Sequence, residues 1–295
     1  MTAETTGRST NLTGILLFLG AIFCFGVMDT MIKYLSGSYG TWQIMFFRAF
    51  FALAPLAVLV ARSGGIVALR TRRPLAHVLR SIAGVAAVFC FFFAFAYMPL
   101  ADVYAIGFAA PLFVTALSVP VLKEKVGWRR WAAVLVGFVG VLVMLRPGAG
   151  VFSLIALAPL VGAFLYALLM LYIRVLSRTE TNAAIVFYFM VTTAVVAGIA
   201  MLPDWVTPGP ADFALLIATG VVGGVAQILF TQAFRLVSPS LAAPFEYTGM
   251  LWAVGFGYLI FGDIPDRAIW IGSAIVVGSG LYILHRETMH SREGQ

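Results

Sequence analysis

Charged residues are scarce in this sequence. Asp, Glu, Lys and Arg make up 11% of its 295 residues, whereas 62% are hydrophobic and the mean hydropathy is +1.00. A typical soluble domain has about 25% charged residues. The charges present are too few to coat a water-soluble globule, so the composition excludes a soluble enzyme, a nucleic-acid-binding module and a disordered protein. The formal charge of +7 indicates basic loops beside a membrane rather than a nucleic-acid partner.

Cysteine, histidine and catalytic motifs are also rare. Cys24 and Cys90 both lie in apolar runs, so we predict no disulfide framework. The sequence has no phosphate-binding G-x-x-x-x-G-K-[ST] motif, no H-E-x-x-H motif and no Cys/His cluster, and its three histidines lie near predicted membrane edges or in the tail. We therefore predict a protein that is not an enzyme and that uses no cofactor and no metal.

Long apolar runs are what the sequence does contain. Each has close to the ~20 residues that a membrane-spanning helix needs. The runs cover residues 12–34, 41–61, 75–97, 101–122, 128–145, 152–176, 181–202, 212–236, 240–261 and 267–285. This pattern predicts an all-α polytopic membrane protein with ten transmembrane helices.

The basic residues predict its orientation. If the N terminus is cytoplasmic, the outer segments hold only Lys33, Arg146 and Arg267, and Arg48 lies within a span. The other fifteen of the nineteen Lys and Arg residues then fall on inner segments or at inner span ends. Positive charges concentrate on the cytoplasmic side of membrane proteins, so we expect both termini inside.

The two halves of the chain resemble each other. A shift of 139 residues places Gly84 on Gly223 and Trp131 on Trp270, and it also aligns acidic Glu124 with Asp263. We predict two repeats, residues 1–146 and 147–295, with five spans each. Because five is odd, the second repeat must be inverted, as in many secondary transporters. The alternative is chance similarity among apolar helices.

Short motifs in both halves resemble the EamA-type repeat of the drug/metabolite transporter superfamily. The first half has Met98-Pro99-Leu100-Ala101-Asp102, Pro111-Leu112-Phe113, Leu122-Lys123-Glu124-Lys125, Gly137 and Gly140. The second half has Val237-Ser238-Pro239-Ser240-Leu241-Ala242, Phe261-Gly262-Asp263, Gly278 and Gly280. The second half departs from the pattern at Asp263, where the family usually has Glu, and at Met250, which occupies the position of Pro111.

This resemblance implies a multi-pass carrier of the bacterial inner membrane that exports small metabolites. The chain looks most similar to the YddG-type aromatic amino-acid exporters. The implied partners are a small-molecule substrate (an amino acid or related metabolite) and membrane lipid, without nucleic acid, in a monomer or weak dimer. A nucleotide-sugar, lipid-like metabolite or drug remains an alternative substrate, and a non-transporting membrane receptor an alternative function.

Ionisable residues at membrane depth are costly and therefore mark candidate sites. Asp29 and Arg48 lie about 10 Å below the outer ends of the first two spans, and they could form a charge pair or a gate. Lys33, four residues after Asp29, is a second possible partner. Glu246 lies about 9 Å from the inner surface and could bind a substrate ammonium, take part in proton coupling or pair with Arg235.

Two mixed aromatic and polar faces predict the rest of the substrate site. One follows the fourth span and the other the ninth, and the eighth span adds polar groups. The predicted binding residues are Tyr104, Phe108, Pro111, Thr115, Gln227, Thr231, Glu246, Tyr247 and Met250. Ordinary helix packing is the alternative for these faces. The segment from Arg70 to Arg80 alternates basic and apolar residues, which predicts an anchor at the lipid headgroups.

Overall fold

The computed structural model describes residues 2–122, 127–145, 154–176, 179–237 and 245–293, and this part of the chain is helical without any β-strand. The predicted repeat boundary at residues 146 and 147, the Lys123-Glu124-Lys125 motif and most of the 237–242 motif lie outside these residues. The side chain of Arg235 does too, so its predicted pairing with Glu246 stays a prediction.

Twelve α-helices follow one another in the described residues. They are α1 Thr2–Leu35, α2 Thr41–Phe51, α3 Leu53–Arg62, α4 Pro74–Tyr97, α5 Leu100–Gly107, α6 Ala110–Leu122, α7 Trp128–Leu145, α8 Leu157–Leu176, α9 Asn182–Ala200, α10 Pro210–Leu236, α11 Gly249–Phe256 and α12 Arg267–Glu293. A π-helical turn, Gly257–Phe261, follows α11.

Each of the ten predicted runs coincides with helix in the described residues. Six helical stretches are long and apolar enough to cross a membrane: Leu12–Leu35, Thr41–Arg62, Pro74–Tyr97, Leu100–Leu117, Asn182–Ala200 and Pro210–Phe234. Four shorter apolar helices are Trp131–Leu145, Leu157–Ile173, Gly249–Phe261 and Arg267–Ile283. The helical, polytopic character is thus clear, whereas the count of ten spans and the orientation of the termini stay predictions.

The second and fourth predicted spans are interrupted at the position that a proline dictates. A proline ring lacks an N–H and clashes with the carbonyl of the fourth residue before it. The helix that leads towards Pro55 ends at Phe51, and the one that leads towards Pro111 ends at Gly107, in both cases four residues earlier. The regular α-helix is therefore interrupted within the second and fourth spans.

The helix pairs are exchanged as an inverted repeat predicts. Helix α1 packs against α10 and α11, while α8 packs against α4 and α6. When spans one to five are matched in order to spans six to ten, α1 corresponds to α8, α10 to α4 and α11 to α6. The contacts of α1 with α10 and α11 therefore correspond to those of α8 with α4 and α6. The same matching pairs the second span with the seventh and the fifth with the tenth, so the contacts α2–α9 and α7–α12 each correspond to themselves. This packing supports the two predicted repeats, whose boundaries stay a prediction.

Polar contacts join the segments that the predicted topology assigns to the outer side, which we call the predicted outer end (residues 33–43, 97–100, 200–212 and 261–266). Gln43 Nε2 donates to the Val206 carbonyl at 2.6 Å, and the Val206 N–H donates back to Gln43 Oε1 at 3.1 Å. The Tyr39 hydroxyl donates to Asp212 Oδ2 at 2.7 Å.

Lys33 also lies at the predicted outer end, but its predicted partner was wrong. Its ammonium lies 3.5 Å from Asp263 Oδ2 and donates to the Met98 carbonyl at 2.8 Å. The side chain leaves α1 towards the ends of the third and ninth spans, and Asp29 has a different partner.

The opposite, predicted inner end joins the loop before α4 to the loop before α9. The Thr181 hydroxyl donates to the Ala68 carbonyl at 2.6 Å, and it also caps α9 by accepting from the Ala184 N–H at 3.0 Å. Glu180 accepts from the Arg72 N–H at 3.3 Å and lies 3.5 Å from His77 Nε2. Polar contacts thus connect distant segments at both ends of the bundle.

Candidate functional site

A cavity of about 240 Å³ lies inside the helix bundle. Its wall includes residues of α1, α2, α4, α5, α8, α9, α10 and α11, together with Phe108 and Glu246. The resemblance to the EamA-type repeat implies a central cavity between the first, third, fourth, sixth, eighth and ninth spans. The structure adds the second span through Arg48 and the seventh through Phe189.

Aromatic rings make up much of the wall. Ten of its 25 described residues are aromatic: Phe18, Phe25, Phe91, Phe92, Phe95, Tyr104, Phe108, Tyr166, Phe189 and Phe230. Several of them contact one another; the Phe18 and Phe230 rings, for example, stack with centroids 5.6 Å apart. Such a surface favours a flat or apolar group by van der Waals contact.

Asp29 and Arg48 both line the cavity, but the predicted direct ion pair is absent among the described residues. Asp29 Oδ2 instead accepts from the Tyr104 hydroxyl at 2.6 Å. The Arg48 Nε lies 3.3 Å from Met28 Sδ, and its guanidinium carbon lies 5.5 Å from the centroid of the Phe92 ring. Each group thus has a near neighbour on another side in this conformation, and a charge pair or gate formed by Asp29 and Arg48 stays a prediction.

Arg80 is a second correction. The sequence placed it in a headgroup anchor, yet its side chain is 1% exposed and lines the cavity. The apolar residues of that segment, Leu75, Val78 and Leu79, do point outwards. The spanning helix α4 already begins at Pro74, so Arg80 lies about 9 Å along its axis. Leu75, Val78 and Leu79 thus lie on the outward face of α4, whereas Arg80 lies on its inward face.

Glu246 and Gln227 bring further polar groups to the cavity. Glu246 is partly buried, and Gln227 is 9% exposed. The Gln227 amide nitrogen lies 3.5 Å from the Thr231 hydroxyl, which itself donates to the Gln227 carbonyl at 2.7 Å. Thr231 is not among the lining residues, because this bond within α10 turns its hydroxyl to the helix backbone.

The predicted faces of the fourth and ninth spans meet, but only part of them reaches the cavity. Tyr104 and Phe108 line it. The Tyr247 ring lies behind Phe108, with centroids 5.1 Å apart and planes at 77°. Its hydroxyl faces Gly280 of α12, where a Cβ atom would collide with it.

Three more predicted binding residues lie outside the described wall: Pro111, Thr115 and Met250. The Thr115 hydroxyl donates to the Pro111 carbonyl at 3.0 Å, and Met250 packs in an apolar cluster that includes Phe108. The binding role of the predicted residues thus stays a prediction, with Tyr104, Phe108, Gln227 and Glu246 in position for it.

Sequence reasoning missed Arg80 and the aromatic residues of α1 and α4. A signal was present for Arg80, since Pro74 favours the first turn of a helix and so places Arg80 inside it. The Phe91, Phe92 and Phe95 rings carried no such signal, because a run of phenylalanines in a membrane helix does not show which ones face the protein.

The sequence matches the EamA-like transporter family over residues 12–146 and 153–284. It is 30% identical to an S-adenosylmethionine uptake transporter of Rickettsia prowazekii (94% of each chain), 32% identical to a riboflavin transporter of Vibrio cholerae (95% of this chain, 96% of the other) and 31% identical to a pseudopaline exporter of Pseudomonas aeruginosa (90% and 93%).

A protein crystal structure with 18% identity has the same fold, with a TM-score of 0.60 over 94% of this chain and 95% of that one. The relatives do not single out the YddG-type exporters that the motifs suggested. They agree in being membrane transporters of small metabolites. The chain therefore belongs to the EamA-like transporter family and is a multi-pass membrane transporter of small metabolites.

Proposed function

We propose that the protein is a secondary transporter that moves an amino acid, or a metabolite derived from one, across the bacterial inner membrane. The observation that carries this proposal is the cavity, which combines ten aromatic residues with Asp29, Arg48, Arg80 and Glu246. Because these ionisable side chains are two acids and two bases, their formal charges cancel. A neutral zwitterion keeps that balance, whereas a substrate with net charge disturbs it.

The aromatic wall favours a flat side group. Stacked or edge-on aromatic contacts contribute about 0.5–1.5 kcal/mol each beyond the burial of area. The relatives named for S-adenosylmethionine and riboflavin act on compounds with flat heteroaromatic rings. An aromatic amino acid, the substrate class of YddG-type exporters, fits the same chemistry. Export is the direction that we propose.

The proposed mechanism is alternating access between two inverted repeats, residues 1–146 and 147–295, with ten spans and both termini in the cytoplasm. The exchanged helix pairs support it, because the α1–α10 and α8–α4 contacts join the two repeats, which would move relative to each other there. The contacts at the predicted outer end, such as Tyr39 to Asp212 and Gln43 to Val206, are weak enough to break and reform during each cycle.

Counterflow in liposomes tests the proposal. The purified protein is reconstituted, the vesicles are loaded with one unlabelled compound and entry of its radiolabelled form is followed. The panel contains the twenty amino acids, S-adenosylmethionine and riboflavin, with protein-free vesicles as the control. We expect counterflow of at least one amino acid or of S-adenosylmethionine, and counterflow of riboflavin alone would refute the proposed class of substrate. Counterflow of none would overturn the proposal, and binding without counterflow would indicate a receptor.

A further inference from the structure

Arg80 holds a positive charge within the bundle with no acidic partner in the described residues. Its Nε and Nη1 atoms are enclosed without a hydrogen-bond partner there, and its side chain is 1% exposed. The nearest compensation is the Phe189 ring, whose centroid lies 4.2 Å from the guanidinium carbon. A ring face stabilises a cation but accepts no conventional N–H hydrogen bond, so the donors of the guanidinium fork stay available.

The cost of such a group points to a ligand. A buried cation without a hydrogen-bonded anion is strongly unfavourable, and a membrane protein that retains one at span depth uses it for pairing or for transport. Within the described residues, Lys33 forms an ion pair with Asp263 and His77 lies beside Glu180, and neither contact involves Arg80. The acid that would satisfy Arg80 is therefore one that enters the cavity.

The chemistry of the site selects the kind of anion. Guanidinium matches a carboxylate with two parallel N–H···O bonds. Glu246 lines the same cavity, and its carboxylate form disfavours a doubly charged phosphate and suits a substrate ammonium. We propose that Arg80 binds the carboxylate of the transported metabolite and thereby makes the site selective for free amino acids over their amides and other analogues that lack a carboxylate.

This inference rests on the proposed function, and matched ligands separate the two. Equilibrium binding to the wild-type protein is measured in detergent for L-phenylalanine, L-tyrosine and S-adenosylmethionine, for L-phenylalaninamide and L-tyrosinamide, and for riboflavin, which has no carboxylate. We expect the free acids to bind at least about tenfold more tightly than their amides, which is the size of a lost charge-assisted hydrogen bond.

Variants then assign that preference to Arg80. Arg80→Met keeps an unbranched, though shorter, side chain and removes the charge, so the acids should lose at least about tenfold in affinity while the amides change by less than threefold. Arg80→Lys keeps the charge without the planar fork and should fall in between. The control is Arg129→Met: this exposed arginine also lies over a ring, 5.5 Å from the Trp128 centroid, but outside the cavity.

Each result decides the question. Equal affinity of acids and amides for the wild-type protein would refute the role of Arg80 while leaving transport intact, and this measurement needs no variant to fold. Equal losses for acids and amides in Arg80→Met would make Arg80 a packing residue. If riboflavin alone binds and shows counterflow, the protein is still a transporter, but both the proposed amino-acid substrate and the carboxylate site are wrong. If no compound binds and none shows counterflow, the proposed function is wrong, and the inference that depends on it is wrong as well.

Discussion

Lys33 Nζ lies 3.5 Å from Asp263 Oδ2 and joins the end of α1 to the segment after α11. The same ammonium donates to the Met98 carbonyl at 2.8 Å and lies 5.2 Å from the centroid of the Phe261 ring. One cation therefore connects three spans at the predicted outer end. The two charged side chains are 15% and 29% exposed, so solvent screening limits the pair to about 1 kcal/mol or less.

The first prediction is that this pair holds the outer end closed. Asp263→Asn should speed the labelling of a cysteine introduced at Phe95, on the cavity wall, by up to about fivefold, because ~1 kcal/mol corresponds to that factor. A membrane-impermeant maleimide measures the rate in a background without Cys24 and Cys90. Asp204→Asn, an exposed acid at the same end, is the control. The same rate in both variants would contradict a closing role for the pair.

The second prediction concerns the hydrogen bond from Tyr104 to Asp29. Tyr104→Phe keeps the ring and removes the donor that lies 2.6 Å from Asp29 Oδ2. The loss of this buried hydrogen bond leaves Asp29 Oδ2 without its donor and should lower the free energy of unfolding by about 1–3 kcal/mol. Thermal unfolding in detergent measures the change against Tyr97→Phe, whose tyrosine is 62% exposed. Equal shifts in the two variants would show that the bond adds nothing to stability.

The third prediction concerns size selection by Phe108. Phe108→Ala removes a ring from the cavity wall, so transport of aromatic amino acids should weaken by about tenfold, while alanine should be much less affected. Tyr247→Ala should act more weakly, because that ring supports Phe108 from behind. Phe50→Ala, at a ring that is 49% exposed, is the control. Equal losses for large and small substrates would mean that Phe108 does not select among them.

The fourth prediction concerns coupling. Asp29 is held by Tyr104 and lies towards the opposite predicted end from Glu246, so the two acids form no direct proton relay. We expect transport by exchange or facilitated diffusion, with flux unchanged by an imposed pH gradient. Glu246→Gln should weaken zwitterion binding several-fold and leave that insensitivity intact. Uphill transport driven by the gradient in the wild type, and lost in the variant, would instead establish proton coupling through Glu246.

The fifth prediction compares two glycines. A Cβ atom on Gly84 would lie 2.7 Å from Phe189 Cε2 and 2.8 Å from Leu169 Cδ1, so Gly84→Ala should destabilise the protein by about 1–3 kcal/mol through overpacking. A Cβ atom on Gly278, in α12, meets nothing within 4 Å. Gly278→Ala should stabilise by about 0.5–1 kcal/mol through helix propensity. Unfolding midpoints that shift in the same direction would contradict this packing.

Much of the fold followed from local properties of the chain. The helical, polytopic class came from composition and hydropathy, which depend only on neighbouring residues. The interruption near the middle of the fourth span came from Pro111, because a missing N–H and a steric clash act within one helical turn. The EamA-like family came from short motifs around tight connections. These features needed no knowledge of how one helix faces another.

The arrangement of the polar groups was decided by the tertiary structure. Asp29 has two candidate partners in the sequence, Arg48 and Lys33, but only packing sets the rotation of each helix, and it brings Tyr104 to Asp29 and Asp263 to Lys33. The same rotation turns Arg80 from an expected headgroup anchor into a cavity residue. A sequence gives the depth of a residue along its helix, whereas the direction of its side chain depends on contacts with distant helices, which decide what lines the cavity.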